Sequence, residues 1–158
     1  MPRLENGQPF PPLQMPLVGG GTMSLPDALG GDFGAVLVYR GAWCPYCNAQ
    51  LSAFARAKES LDAAGIKVVA FSVDDEETSA ELVATRHLNF PVAHSADADK
   101  VSETLGAYVN EEPRHLQSTG FVLGPNGSVV TAVYSSGAIG RLVPEDVVGL
   151  VRYIKELT

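Results

Sequence analysis

The feature that most restricts the fold of this chain is residues 36–51, VLVYRGAWCPYCNAQL, where an apolar run turns into a helix-forming segment at two cysteines. Residues 35–39, Ala-Val-Leu-Val-Tyr, are rich in β-branched and aromatic side chains and predict a buried strand. Residues 48–58 are good helix formers. Cys44 and Cys47, the chain's only cysteines, therefore sit at a strand-to-helix junction, with Cys44 at or just before the first helical turn. The first turn of a helix carries unpartnered N–H groups and the positive end of the helix dipole, and both favour an anion such as a thiolate. CxxC pairs at helix N-termini have lowered thiol pKa values. Pro45 fits the first turn, where it needs no N–H partner. Leu51, Phe54, Lys58 and Leu61 continue the side of the helix that bears Cys47. The expectation is a core-facing Cys47 and a solvent-facing Cys44, one sulfur to attack and one to resolve. A zinc site needs more ligands. The chain offers His87, His94 and His115 but no second CxxC and no closely spaced histidine pair, so no metal is expected. Inert core cysteines are the remaining alternative.

The 158 residues suit a single domain, residues 1–158, and a net charge of −7 argues against nucleic acid or an anionic membrane as partner. No apolar run is long enough to span a bilayer, and the N-terminus lacks the apolar core of a signal peptide. A cytoplasmic location follows as the expectation, and there a CxxC pair is catalytic more often than structural.

Around this junction the pattern reads β-α-β-α-β-α-β-β-α. Residues 1–23 form an extended lead-in, with an edge strand over residues 13–18. Ser24 to Asp27 reads as a capping box opening a short turn. A strand is expected over residues 66–73, followed by a helix that Asp74 caps with Glu77. A short strand at 91–94 and a helix capped by Asp97 and closed by Gly106 come next. Residues 108–118 read as a polar loop, residues 119–123 and 128–134 as a hairpin, and Pro144 opens the last helix. Early βαβ units imply parallel strands, and the hairpin adds antiparallel ones.

WCPYC at such a junction resembles a thioredoxin-fold active site. The rest resembles the AhpC/TSA, or peroxiredoxin, branch of that superfamily. The resemblance is carried by Ser24-Leu25-Pro26-Asp27-Ala28-Leu29, by Phe90-Pro91-Val92 with Ser95-Ala96-Asp97, by residues 120–127 (GFVLGPNG) and by Gly140-Arg141. It implies an α/β, thioredoxin-like fold: a central mixed sheet flanked by helices, with a peroxiredoxin-type N-terminal extension. The departures are specific. Peroxiredoxins place a proline seven residues, and a threonine three residues, before the peroxide-reacting cysteine. If that cysteine is Cys47, those positions hold Arg40 and Cys44. The family's catalytic arginine falls near Ser118, and the proline that faces the disulfide in thioredoxins falls close to Ser118-Thr119. Arg40 or Arg141 is left to supply the positive charge, unless both are surface or structural arginines.

The reading is an antioxidant thiol oxidoreductase. Cys44 and Cys47 are catalytic, with Arg40, Trp43, Pro45, Tyr46, Ser118, Thr119 and Arg141 in support. Trp43 and Tyr46 are expected to form an apolar collar around Cys44. No cofactor is implied beyond the redox-active disulfide and an external thiol reductant: thioredoxin, glutaredoxin or a low-molecular-weight thiol. The substrate is a peroxide or a disulfide, and the relatives' habit implies a homodimer as one assembly open to the chain. The alternative is a non-enzymatic redox sensor or binding module on the same scaffold.

Overall fold

A computed structural model describes residues 2–157. The chain runs through β1 (Leu13–Pro16), β2 (Thr22–Leu25), a 3-10 turn (Asp27–Leu29), β3 (Phe33–Val38), α1 (Pro45–Arg56), α2 (Lys58–Ala63), β4 (Ile66–Phe71), α3 (Glu76–Arg86), β5 (Val92–Ala93), α4 (Ala98–Leu105), β6 (Val109–Glu111), β7 (Arg114–Leu116), β8 (Thr119–Leu123), β9 (Val129–Tyr134) and α5 (Pro144–Glu156).

The central sheet has the order β5-β4-β3-β8-β9. β3 pairs parallel with β4, and β4 with β5, whereas β8 pairs antiparallel with both β3 and β9. This is the mixed sheet that the βαβ pattern and final hairpin predict. All six residues of β3 are buried, as a strand covered on both faces requires. Its alternation divides the core. Ala35 and Leu37 face Leu51 and Phe54 of α1 and Val147 and Val151 of α5. Val36 and Val38 face Phe10, Leu13 and Met15 of the N-terminal segment and Val101 and Leu105 of α4. The lead-in is therefore part of the second core. It also runs along the β8–β9 turn, with Phe10 N donating to Gly127 O at 2.9 Å.

Four local expectations are corrected. Ser24 caps nothing, because it lies in β2 opposite Gln14 and the 3-10 turn has no side-chain cap. Asp75, not Asp74, caps α3, accepting from Thr78 N at 2.8 Å. Residues 108–118 are not a solvent loop but the β6–β7 hairpin, antiparallel and packed beside α4. The stretch reads as loop because three of its four buried residues, His115, Leu116, Gln117 and Ser118, are polar. The helical stripe through Phe54, Lys58 and Leu61 is not continuous, because α1 ends at Arg56 and α2 starts at Lys58.

Candidate active site

β3 ends at Val38, which frees Arg40 from strand alternation and lets the chain turn through Gly41 and Ala42 into α1. Cys44 is the N-cap of α1 and Pro45 opens the helix. The backbone N–H of Cys47 donates to Cys44 Sγ at 3.3 Å, so the sulfur takes the place of the usual capping oxygen. The first turn is held from outside as well: Asn48 Nδ2 donates to Ala42 O at 2.9 Å, and Ala42 N donates to Asp74 Oδ2 at 2.8 Å.

Two arginines bracket the sulfurs. Arg40 Nη1 approaches Cys44 Sγ at 3.8 Å and its Nε donates to Gln117 Oε1 at 2.9 Å. The Arg40 backbone N–H donates to Cys47 Sγ at 3.3 Å. Arg141 Nη2 reaches Cys47 Sγ at 3.6 Å while its Nη1 donates to Gln50 Oε1 at 2.8 Å. Gln50 in turn donates to Leu142 O at 2.9 Å, tying the loop before α5 to the dithiol. Each arginine therefore has a guanidinium nitrogen within 4 Å of a sulfur.

The expected exposure of Cys44 is not what the fold produces. Both cysteines are free thiols with 0% accessible surface. Around the loop that carries Cys44, residues near and distant in sequence meet. Arg40 lies over the Trp43 ring at 4.9 Å, and the Trp43 ring leans on His115 at 4.9 Å. Trp43, expected in an apolar collar, packs against Arg40 and His115 and is 54% exposed. Tyr46, 55% exposed, points away into solvent. Ser118 and Thr119 lie one and two residues beyond the contact that matters, Gln117. Thr119 Oγ1 donates to Gln117 O at 3.1 Å, bracing that residue.

The two thiols are electrically unequal. Burial pushes the Cys44 thiol up, but hydrogen bonds from the Cys47 side chain and backbone, the Arg40 guanidinium and the charge of Arg141 outweigh it, so Cys44 is held below the ordinary thiol value. Burial also raises Cys47, the Cys44 sulfur adds to the effect, and the Arg40 N–H and Arg141 oppose it only in part, so Cys47 stays above the ordinary value. The arrangement suits one ready thiolate and one stored thiol. Among the described residues no group of three or more His, Cys, Asp or Glu is placed to hold a metal ion.

Gln50, Gln117, His115 and Asp74 are the site residues that sequence reasoning missed. Gln50 could have been flagged as a polar residue on the buried stripe of α1, three positions beyond Cys47. The other three come from elements whose approach only the fold determines.

A mixed sheet with a strand-to-helix dithiol and two facing guanidiniums defines the class: a thioredoxin-fold thiol oxidoreductase. The sequence matches the AhpC/TSA family over residues 6–132, and the chain belongs to that family. It is similar to a peroxiredoxin of Methanothermobacter thermautotrophicus, 28% identical over 146 residues, covering 88% of this chain and 68% of that protein. A Treponema denticola peroxiredoxin is 25% identical over 157 residues, covering 96% and 72%. Among solved structures, Mycobacterium bovis AhpC superposes with a TM-score of 0.83 at 17% identity, covering 100% of this chain and 96% of that one. Mycobacterium tuberculosis peroxidoxin BcpB gives 0.82 at 17% identity, covering 96% and 99%. These structures share the fold. The chain is a thiol-dependent antioxidant oxidoreductase, and nothing among its relatives favours a non-catalytic sensor or binding module.

Proposed function

We propose that the chain reduces small peroxides, with Cys44 as the sulfur attacked first and Cys47 as the resolving thiol. The observation that carries this reading is a Cys44 sulfur activated yet fully covered. A protein disulfide needs the packing over this buried sulfur opened. A peroxide, only slightly larger than water, needs no more than a side-chain shift. The Cys44 thiolate attacks one peroxide oxygen, the O–O bond breaks, and the second oxygen leaves as water or an alcohol after taking up a proton. Arg40, with its fixed fork of donors, is placed to orient the peroxide and steady the developing charge. The Cys47 thiolate then attacks the Cys44 sulfenic acid, water leaves, and a Cys44–Cys47 disulfide remains. An external thiol donates two electrons to reopen it; thioredoxin, glutaredoxin or a low-molecular-weight thiol of the cytoplasm are the donors in view. A homodimer is compatible with this cycle but not required by it.

The test uses Cys44→Ser and Cys47→Ser with hydrogen peroxide and dimedone, followed by mass spectrometry. Cys47→Ser should accumulate dimedone on Cys44, and Cys44→Ser should lose peroxide turnover. Dimedone found first on Cys47, the position that the peroxiredoxin pattern matches, reverses the two roles. Full peroxide and disulfide reduction by Cys44→Ser removes the scheme.

A further inference from the structure

Peroxide reduction at Cys44 asks two things of Arg40, a positive charge and a fixed direction. An arginine supplies the first by itself. Its side chain is long and flexible, so the second has to come from its surroundings. The backbone of Arg40 is fixed, its N–H donating to Cys47 Sγ at 3.3 Å. The Trp43 ring lies 4.9 Å from the guanidinium carbon. A ring face sets the height of a guanidinium but leaves its fork free to turn in its own plane. A directional bond removes that freedom. Arg40 Nε donates to Gln117 Oε1 at 2.9 Å, while Nη1 stands 3.8 Å from Cys44 Sγ.

The sheet brings this oxygen to the site. β3 and β8 run antiparallel, and the last pair of their ladder is Val38 with Thr119. Carried two residues further, the same register sets Arg40 opposite Gln117, and directly opposed side chains meet. Gln117 is held in turn. It is buried, its N–H donates to Tyr108 O at 2.8 Å, and its carbonyl accepts from Thr119 Oγ1 at 3.1 Å. Its side-chain oxygen is also uncharged. Among the described residues no carboxylate forms an ion pair with Arg40, so the charge of the guanidinium stays available to the sulfur.

We propose that Gln117 is a positioning residue for peroxide reduction, fixing the Arg40 guanidinium at Nε so that its Nη edge faces the Cys44 sulfur and the oxygen that sulfur attacks. This rests on Cys44 being the sulfur attacked first, as proposed above. Gln117 acts through Arg40 and takes no part in the transfer itself. Without the Gln117 acceptor the guanidinium turns toward water. The Cys44 thiolate then loses a close cation, and the peroxide loses the donors that orient it. Burial pushes the Cys44 thiol up, and Arg40 is one of the groups that bring it down, which agrees with this coupling.

The experiment is a double-mutant cycle on the reduced full chain. Gln117→Leu removes the acceptor at similar size, and Gln117→Asn keeps the amide but withdraws it by one methylene. Each is made alone and together with Arg40→Met, and urea midpoints establish that the variants fold. Alkylation of Cys44 by iodoacetamide should slow by roughly 2–5-fold at neutral pH in both Gln117 variants, because a guanidinium turned toward water acts from further off through a higher dielectric. The pH profile should move to higher pH, and the rates should meet wild type where Cys44 is fully ionised. Formation of the Cys44 sulfenic acid from hydrogen peroxide is followed with dimedone in the same set built on Cys47→Ser. It should fall by about 10-fold even at high pH, since misplacing an orienting group costs up to ~10²-fold. Combined with Arg40→Met, neither Gln117 substitution should slow either reaction further. A merely structural role would cost the same factor with or without Arg40. Wild-type rates in both Gln117 variants, or equal losses in the two backgrounds, overturn the assignment while leaving the Cys44 scheme standing. No dimedone adduct on Cys44 in the Cys47→Ser chain overturns both.

Discussion

Replacing Arg40 with Met removes one positive charge 3.8 Å from the Cys44 sulfur and keeps most of the side-chain volume. Two unit charges about 4 Å apart attract by ~1 kcal/mol in water and by ~4 kcal/mol at an effective dielectric of 20. The Arg40 guanidinium is partly open to solvent and shares its donors with Gln117, so the lower half of that range applies. A loss of about 1–2 kcal/mol corresponds to a factor of roughly 5–30 in the population of the thiolate. The sign follows from the environment of the thiol. Cys44 is held below its ordinary value, in part by Arg40, so its thiolate forms as pH rises through that lowered value, and the variant needs a higher pH for the same fraction. Alkylation by iodoacetamide, mapped to Cys44 by mass spectrometry, should slow about 5–30-fold at neutral pH, and its pH profile should move to higher pH. The rate at high pH, where both proteins are fully ionised, should match. An unmoved profile would refute the reasoning and leave the α1 N-terminus as the activator of Cys44.

Three further perturbations probe the surroundings. A Cβ at Gly41 would run into the Trp43 ring, so Gly41→Ala should displace the tryptophan, cost about 1–3 kcal/mol, and raise the reactivity of Cys44 toward a bulky aromatic disulfide more than toward iodoacetamide. Arg141→Met removes the cation beside Cys47 and leaves the buried Gln50 Oε1 without its donor. It should destabilise the chain by about 1–3 kcal/mol in urea and slow disulfide closure while sparing sulfenic acid formation. Phe54→Ala empties a fully buried position where α1 meets the sheet, and the urea midpoint should report a loss of about 3–5 kcal/mol.

The chain's own pattern determined the framework of the site. The unbroken apolar run at residues 35–39 favours a buried strand, and Pro45 after Cys44 suits the first turn of a helix. Those local preferences agree with the fold, which puts both sulfurs at the positive end of α1 and Arg40 just past the end of β3. The proximity of Arg40 to Cys44 follows from four residues of sequence. The cover over Cys44 does not. His115, against Trp43, and Gln117, against Arg40, come from a segment that reads as polar loop because most of its buried residues are polar themselves. Exposure is a property of what packs against a residue, so helix-end logic could place Cys44 but could not say that it is sealed. Asp74 makes the same point. Two adjacent acids before a helix are equivalent as caps in sequence. The turn leaving β4 gives the cap to Asp75 and sends Asp74 to the Ala42 N–H, 32 residues back along the chain. Local propensity placed the dithiol, and long-range packing, in which parallel strands bring their C-terminal ends to one edge, decided what surrounds it.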